Sequence, residues 1–232
     1  MPPLMIFAAG LGTRMAPLTD TCPKPLIRVA GRSLLDRALD LGRQAGAAPI
    51  VVNTHYLGGQ IAAHLAQSDV AISDEADLLL DTGAGLRRAL PLLGGGPLVA
   101  TLNPDVVWTG PNPLLALAAA WREDMAALLA LVPVARARAR IGGGDFALDA
   151  AGRISRQGDF VYAGAQIIRP DLLADIPERV FSLNLLWDRL IAQGGAFGLI
   201  HRGGWCDVGR PEAIAQAEAL LAGPAQQGPG RD

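Results

Sequence analysis

Short apolar runs alternate with amphipathic stretches along the first half of the chain. The apolar runs have the length of buried strands, and the amphipathic stretches repeat their apolar positions at helical spacing. The predicted strands are 4–8, 50–53, 70–72, 98–102 and 127–132, and the predicted helices are 34–44, 57–66, 86–93 and 114–122. Strands that alternate with helices indicate a parallel sheet with helices on both faces. We therefore expect an α/β fold with a doubly wound, mainly parallel sheet.

The pattern changes after Val134, where Ala and Arg alternate as far as Arg140 and three glycines follow at 142–144. Two short apolar runs, 146–148 and 162–168, are separated by a glycine-containing turn. We interpret this region as a small antiparallel β insertion that carries a second substrate. The Ala–Arg repeat is interpreted as a solvated strand face, because three arginines without aromatic residues are a weak signal for nucleic acid.

A predicted helix at 184–192, a strand at 196–201 and a helix at 211–221 complete the pattern. The sequence has no internal repeat and no second stretch with the pattern of a globular unit, so we expect a single domain over residues 1–222. Residues 223–232 are rich in Gly, Pro and Gln, and we expect them to form a flexible tail.

Composition and charge exclude several classes of protein. Half of the 232 residues are hydrophobic, which is incompatible with an intrinsically disordered chain. A formal net charge of -2 gives no basic surface for nucleic acid. No apolar stretch reaches the ~20 residues of a membrane span, and the first residues lack the charge of a secretory signal. Cys22 and Cys206 have no disulfide or zinc spacing. We expect a cytoplasmic protein that contacts neither nucleic acid nor membrane, of unpredicted oligomeric state.

The segment after the first predicted strand has the chemistry of a phosphate-binding loop. Gly10 and Gly12 have no side chain to keep a phosphate from the backbone N–H groups, and Arg14 and Lys24 add positive charge. Lys24 is the only lysine of the chain, which favours a chemical role for it. The segment lacks the Gly-Lys-Ser/Thr of a Walker loop, and Met15 stands where the dinucleotide fingerprint requires a small residue. These residues predict a bound nucleoside triphosphate.

The order Gly-Leu-Gly-Thr-Arg-Met-Ala-Pro-Leu-Thr at 10–19, followed by Pro-Lys-Pro-Leu at 23–26, resembles the first loop of the sugar-1-phosphate nucleotidyltransferases. The resemblance extends from Leu4 to about Leu221, and it favours the short, single-domain members that act on N-acetylmuramate 1-phosphate and UTP. It implies a Rossmann-like core, Mg²⁺ as cofactor, and as partners a nucleoside triphosphate, with UTP favoured, and a sugar 1-phosphate. The alternatives are mannose-1-phosphate guanylyl transfer, transfer to another sugar or alcohol phosphate, and a non-catalytic nucleotide sensor.

Two aspartates match the metal ligands of that family. Asp105 follows the predicted strand 98–102, and Asp207 lies in the segment Trp-Cys-Asp-Val-Gly at 205–209. Carboxylates from two sides of a cleft, together with a phosphate of the substrate, form a suitable Mg²⁺ site. Pro104 replaces the glycine of the family's Asn-Gly-Asp, which removes a backbone N–H. The catalytic residues that we expect are Arg14, Lys24 and Asp105.

The resemblance also implies two binding regions. The nucleotide-binding residues are Ala9, Gly10, Gly12, Thr13, Arg14, Lys24, Asn53, Glu75, Gly83 and Asn103. The sugar-binding residues are Asp145, Gly164, Asn184 and Trp187. Three of these residues also have a purely structural interpretation: Asn53 as a turn residue at the end of a strand, Asn184 as a helix cap and Trp187 as a core residue. The stretch Asp-Thr-Gly-Ala at 81–84 departs from the family's Glu-Thr-Gly-Gly, but we still expect a backbone contact from Gly83 to the nucleotide.

Overall fold

The computed structural model describes residues 1–223, and within that range the chain forms thirteen strands and six α-helices. The strands are β1 (Leu4–Phe7), β2 (Arg28–Val29), β3 (Arg32–Ser33), β4 (Ile50–Thr54), β5 (Ala71–Asp74), β6 (Val99–Leu102), β7 (Val106–Trp108), β8 (Ala127–Pro133), β9 (Phe146–Leu148), β10 (Ile154–Arg156), β11 (Phe160–Ile168), β12 (Ala196–Ile200) and β13 (Trp205–Asp207). The helices are α1 (Leu34–Gln44), α2 (Gly58–Leu65), α3 (Asp81–Ala89), α4 (Pro113–Ala120), α5 (Leu183–Ala192) and α6 (Ala213–Ala222). Most of the predicted tail, residues 224–232, lies outside the described residues.

Nine of these strands form one mixed sheet, and β1 lies at the centre of its parallel part. β1 is parallel to both of its neighbours, β4 and β6, with Leu4 opposite Ile50 and Ala100. β5 continues the parallel part beyond β4, whereas β11 runs antiparallel to β6 and β8. The predicted α/β sheet is therefore confirmed. The carboxyl ends of β1, β4 and β6 open at one edge, which is where open α/β sheets bind ligands.

Helices cover both faces of the sheet, as the sequence predicts. On one face, Leu4 and Ile6 of β1 belong to a core that includes residues of α1, α2 and α4. Met5 points to the opposite face, because neighbouring residues of a strand alternate, and it belongs to a core with residues of α3 and α5. The sheet is thus doubly covered, and both cores consist mainly of aliphatic side chains.

The first helix shows how the sequence produces these layers. Ser33 caps α1, because its hydroxyl accepts a hydrogen bond from the backbone N–H of Asp36 at 3.0 Å. Leu35, Ala38 and Leu39 follow at helical spacing and are buried against the sheet. The predicted bounds of this helix, 34–44, agree with the structure.

A small antiparallel sheet of β7 and β13 packs against α6, outside the main sheet. Val107 of β7 and Cys206 of β13 lie opposite each other and are buried with Ala217 and Leu220 of α6. Met15, from the loop after β1, belongs to the same core. This third core therefore connects the Gly-rich loop to the last helix. In residues 1–223, no helix has both the length and the apolar character needed to cross a membrane.

The helix predicted at 86–93 differs most from its observed bounds, whereas the other helices differ by at most two residues at either end. The helix predicted at 86–93 begins earlier, at Asp81, and its last turn, Leu90–Leu93, is a 3-10 helix. The apolar pattern that located this helix starts only at Leu86, because the five residues before it, Asp-Thr-Gly-Ala-Gly, are polar or small.

The region after β8 also differs from its prediction. The Ala–Arg repeat is not a solvated strand face, because it contains a 3-10 turn at Val134–Arg136 and then a single bridge from Arg138 to Cys206. The predicted β insertion is continuous with the main sheet, since β9 pairs with β11 through Phe146 and Phe160.

A buried chain of hydrogen bonds connects α5 to the main sheet. The indole Nε1 of Trp187 donates to Oε1 of Gln166 (2.9 Å), and Nε2 of Gln166 donates to Oγ1 of Thr101 (3.1 Å). Gln166 and Thr101 have no exposed surface. Because buried polar groups are costly when unpaired, this chain of bonds fixes the orientation of Trp187 against the sheet.

We expect Gln166→Leu to lower the free energy of unfolding by about 1–3 kcal/mol, because it leaves the indole N–H of Trp187 without an acceptor in the core. Urea unfolding followed by circular dichroism measures the change. The control is Gln67→Leu at an exposed position, which should stay within about 0.5 kcal/mol of the wild type. Equal stability of the two variants would show that the network contributes nothing to folding.

Candidate active site

Two adjoining cavities form a cleft at the carboxyl edge of β1, β4 and β6. The first cavity has a volume of about 390 Å³ and is lined by residues that include Ala9, Gly10, Asn53 and Glu75. The second cavity has a volume of about 310 Å³ and is lined by residues that include Arg14, Asn103, Asp105, Asp145 and Asp207. Both cavities are bordered by Phe7, Asp81 and Thr82. Residues from the predicted nucleotide, metal and sugar groups therefore line one cleft.

The Gly-rich loop after β1 is folded by contacts with the segment that carries Lys24. Gly12 has φ 66°, and a Cβ atom there would lie 3.0 Å from Cβ of Lys24 and 3.0 Å from Cγ2 of Thr19. The position therefore requires glycine. The hydroxyl of Thr19 donates to the carbonyl oxygen of Gly12 at 3.0 Å. Three predicted nucleotide-binding residues of the loop are exposed and open to a ligand: Gly10, Thr13 and Arg14.

Asn53 and Glu75 are buried and bonded to each other beneath the first cavity. Nδ2 of Asn53 donates to Oε1 of Glu75 (2.7 Å), and Oδ1 of Asn53 accepts from the backbone N–H of Ala8 (2.7 Å). Oε2 of Glu75 accepts from the backbone N–H of Leu80 (3.1 Å). The pair therefore ties the start of the Gly-rich loop to β4 and to the beginning of α3. The strand-end role of Asn53 is what these bonds support, and its contact with a base stays a prediction.

Gly83 is buried and is not among the residues that line either cavity, and the expected backbone contact from Gly83 to the nucleotide stays a prediction. Its N–H donates to the carbonyl oxygen of Phe181 (3.0 Å), and a Cβ atom would lie 2.3 Å from the Phe181 ring. Because α3 begins at Asp81, Gly83 is the third residue of the helix and faces the segment before α5. Asp81 and Thr82 border the cleft instead.

Lys24, Asp105 and Asp207 come together through the small sheet. Nζ of Lys24 lies 2.6 Å from Oδ2 of Asp105, and this ion pair is partly buried. Asp105 immediately precedes β7, and Asp207 at the end of β13 lies opposite Val106 of β7. The backbone N–H of Val208 also donates to the carbonyl oxygen of Asp105 (2.9 Å). The structure thus joins both predicted metal ligands to the predicted catalytic lysine.

The electrostatic environment of Asp207 reflects this arrangement. Burial raises the pKa of the Asp207 carboxyl, and the charge of Asp105 raises that pKa further. The positive charges of Lys24, Arg14 and Arg140 act in the opposite direction on the pKa of Asp207. Two carboxylates that repel each other beside several cations are a suitable place for a divalent cation and phosphate oxygens.

Asp145 is held in the wall of the second cavity. Oδ1 of Asp145 accepts from Nη2 of Arg140 (2.9 Å), and Oδ2 accepts from the backbone N–H of Tyr162 (2.9 Å). The preceding Gly144 has no room for a side chain, because a Cβ atom would lie 2.1 Å from the carbonyl oxygen of Gly158. These contacts give Asp145 a role in holding Arg140, and its direct contact with a sugar stays a prediction.

Asn103 and Gly164 meet where β6 and β11 are adjacent. The backbone N–H of Asn103 donates to the carbonyl oxygen of Gly164 (2.7 Å). Gly164 has φ 93°, and a Cβ atom there would lie 3.1 Å from Cβ of Asn103. Glycine therefore lets β11 approach the turn before Asp105, and both residues line the second cavity.

Asn184 and Trp187 lie at the first turns of α5, and both line the second cavity. The helix cap is Ser182, whose hydroxyl accepts from the backbone N–H of Asn184 (3.3 Å), so Asn184 itself is not the cap. Trp187 is largely buried, and its ring lies edge-on to the ring of Tyr162 with centroids 4.7 Å apart. It is therefore a core residue that also forms part of the cavity wall.

Two arginines of the second cavity were not predicted. Arg140 lies in the Ala–Arg repeat, and Arg156 lies in β10. Nε of Arg156 donates to Oδ1 of Asp188 (2.7 Å), and its guanidinium lies 4.9 Å from the ring centroid of Phe146. The nearest sequence signal is the position of Arg140 beside three glycines and Asp145, but the regular alternation with Ala favoured a solvated strand.

Comparisons with known proteins agree with this geometry. The model of the MobA-like NTP transferase domain matches residues 4–195. The N-acetylmuramate alpha-1-phosphate uridylyltransferase of Caulobacter vibrioides is 41% identical, covering 94% of this chain and 96% of the relative. The protein of the same name from Neisseria meningitidis serogroup B is 36% identical, covering 93% of this chain and 96% of the relative.

Solved structures of lower identity share the fold. HddC from Yersinia pseudotuberculosis, crystallised with GMP-PN, is 21% identical with a TM-score of 0.76, covering 95% of this chain and 100% of HddC. A putative glucose-1-phosphate thymidylyltransferase from Bacillus anthracis, in complex with sucrose, is 15% identical with a TM-score of 0.79, covering 95% of each chain. From the family match and the two relatives of full length, the chain belongs to the MobA-like NTP transferase family, among the sugar-1-phosphate nucleotidyltransferases.

Proposed function

We propose that the chain transfers a uridylyl group from UTP to N-acetylmuramate 1-phosphate and releases pyrophosphate. Two relatives named for this activity support the proposal, since they align with nearly the whole chain at 41% and 36% identity. The observation that carries it is the cluster of Asp105, Asp207 and Lys24 between the Gly-rich loop and the predicted sugar-binding residues. A nucleotide loop, a carboxylate pair and a second substrate cavity are the parts that nucleotidyl transfer requires.

The reaction joins an oxygen of the sugar phosphate to the α-phosphorus of UTP and breaks the bond from that phosphorus to the departing pyrophosphate. A phosphomonoester is mostly dianionic near pH 7, since its second pKa is about 6, so its attack needs no general base. The protein must align the two substrates and neutralise their charge. Arg14 and Lys24 are the cations that we assign to the triphosphate.

The positions of the histidines are consistent with direct transfer. His55 Nδ1 lies 2.7 Å from the carbonyl oxygen of Glu75, and His201 Nε2 lies 3.1 Å from another backbone carbonyl oxygen. His64 pairs with Asp36 on the surface. In the described part of the chain, no histidine lines either cavity. We therefore assign no histidine as nucleophile or general base.

Asp105 and Asp207 fit Mg²⁺, which we propose as the cofactor. Their carboxylates line one cavity, and burial, followed by the charge of Asp105, raises the pKa of Asp207. Mg²⁺ usually takes one or two carboxylates and completes its coordination with phosphate oxygens and water. Within residues 1–223, no group of three or more acidic, His or Cys side chains converges on a possible metal site. Bound there, the ion would neutralise phosphate charge and orient the substrates.

We further propose that residues 1–222 act as one nucleotidyltransferase domain in the cytoplasm. The third core joins both ends of this range, because Met15 and Leu220 both belong to it. Cys22 and Cys206 are both free, which fits a reducing compartment.

We expect the purified chain to release pyrophosphate from UTP and Mg²⁺ in the presence of N-acetylmuramate 1-phosphate, at a higher rate than with any other pair of substrates. A coupled pyrophosphate assay over four nucleoside triphosphates and a panel of sugar 1-phosphates measures this preference. A preference for GTP with mannose 1-phosphate would overturn the uridylyl assignment and leave the reaction class intact. No release with any pair would overturn the enzyme proposal in favour of a nucleotide sensor.

We expect Asp105→Asn and Asp207→Asn each to lower kcat by at least about 100-fold, because each removes a carboxylate charge from the proposed metal site. Initial rates over a range of Mg²⁺ concentrations measure the loss, and circular dichroism checks the fold. Asp175→Asn, at an exposed position away from the cleft, is the control and should keep the wild-type rate. Either cleft variant with near-normal kcat at saturating Mg²⁺ would remove that residue from the proposed site.

A further inference from the structure

Arg140 reaches the second cavity from the segment between β8 and β9. That segment is fixed to the strand that carries Asp207. The backbone N–H of Asp207 donates to the carbonyl oxygen of Arg138 (3.1 Å), and the backbone N–H of Arg138 donates to the carbonyl oxygen of Trp205 (3.4 Å). Arg140 follows two residues later and lines the same cavity as Asp207. Backbone hydrogen bonds therefore fix Arg140 on the side of the cavity next to the carboxylate pair.

The guanidinium of Arg140 is held by one partner and retains donors for others. Nη2 donates to Asp145, and Asp145 is itself held by the backbone N–H of Tyr162. Nε of Arg140 is buried without a hydrogen-bond partner among the described residues. About a third of the side chain (30%) is exposed, and a guanidinium has five N–H donors. Arg140 is therefore oriented by Asp145 with most of its donors unused.

The other arginine of this wall is engaged more fully. Nε of Arg156 donates to Asp188, Nη2 donates to the carbonyl oxygen of Asn184 (3.1 Å), and the guanidinium stacks over Phe146. Of these two arginines, Arg140 therefore has the greater capacity to bind an anion that enters the cavity.

We propose that Arg140 binds the phosphate group of the sugar 1-phosphate and that Asp145 is its positioning residue. This inference rests on the proposed function, since it assigns the acceptor phosphate within that same site. The acceptor oxygen has to lie beside the α-phosphorus and therefore near the carboxylate pair, to which the Arg140 segment is bonded. Two parallel N–H groups of an arginine guanidinium match two phosphate oxygens. A partner that already fixes the guanidinium lowers the entropy cost of ordering it when a phosphate binds.

Binding of sugar phosphates, measured apart from turnover, tests the assignment. Isothermal titration calorimetry compares N-acetylmuramate 1-phosphate, N-acetylglucosamine 1-phosphate, which lacks the lactyl carboxylate, and unphosphorylated N-acetylmuramate. We expect Arg140→Ala to raise the Kd values of both sugar phosphates by a similar factor of about 10 to 100. The Kd values for UTP and for the unphosphorylated sugar should change less than about twofold. Arg140→Lys should recover part of the lost affinity, because lysine keeps the positive charge but lacks the paired N–H donors of the guanidinium. Asp145→Asn should shift the Kd in the same direction by a smaller factor.

Arg138→Ala is the matched control, because it removes an exposed arginine two residues away and keeps the backbone bonds to β13. It should bind sugar phosphates like the wild type. Three results for Arg140→Ala would overturn the inference: unchanged binding of the sugar phosphates, an equal loss for UTP, or a loss confined to the two muramate compounds. The last result would show that Arg140 binds the lactyl carboxylate of the muramate compounds instead of the phosphate. A wild-type chain that binds sugar phosphates through Arg140 but releases no pyrophosphate would overturn the proposed function alone.

Discussion

The backbone pairing of β7 with β13 is the interaction on which the cleft depends. Three residues of β7 pair with three residues of β13. Asp207 lies opposite Val106, which directly follows Asp105. Like-charged side chains repel each other, so it is the backbone hydrogen bonds and the core beneath α6 that hold these two carboxylates near one another. Met15 belongs to that core, which means that the Gly-rich loop is supported by the same small sheet.

Charge in the cleft is balanced largely by pairs within the protein. Lys24 lies 2.6 Å from Asp105, Arg140 lies 2.9 Å from Asp145, and Arg156 lies 2.7 Å from Asp188. Such pairs contribute little to stability when they are partly exposed, but they restrict long side chains to a few orientations. These three cations are therefore oriented before any substrate enters, which lowers the entropy cost of binding phosphates.

Local sequence pattern predicted the elements of the sheet better than it predicted the orientation of side chains. The bounds of α1 and the residues of β1 follow from apolar spacing, and Asp105 and Asp207 follow from family motifs. The side that Gly83 faces was not predicted, because the start of α3 has no apolar repeat and the sequence did not indicate which way its first turn faces. Arg140 was missed because its position depends on the bridge from Arg138 to Cys206. This contact joins distant segments of the chain, and the alternation with Ala does not reveal it.

The order of these parts along the chain has a consequence for synthesis. The Gly-rich loop, Lys24 and Asp105 are translated before β13 and α6, which are among the last elements of the described chain. A growing chain thus exposes β7 without its partner strand and leaves Val107 uncovered until Cys206 arrives. A chain interrupted before Asp207 would retain the loop and its lysine beside a single carboxylate, so the cleft is completed only after β13 has been translated.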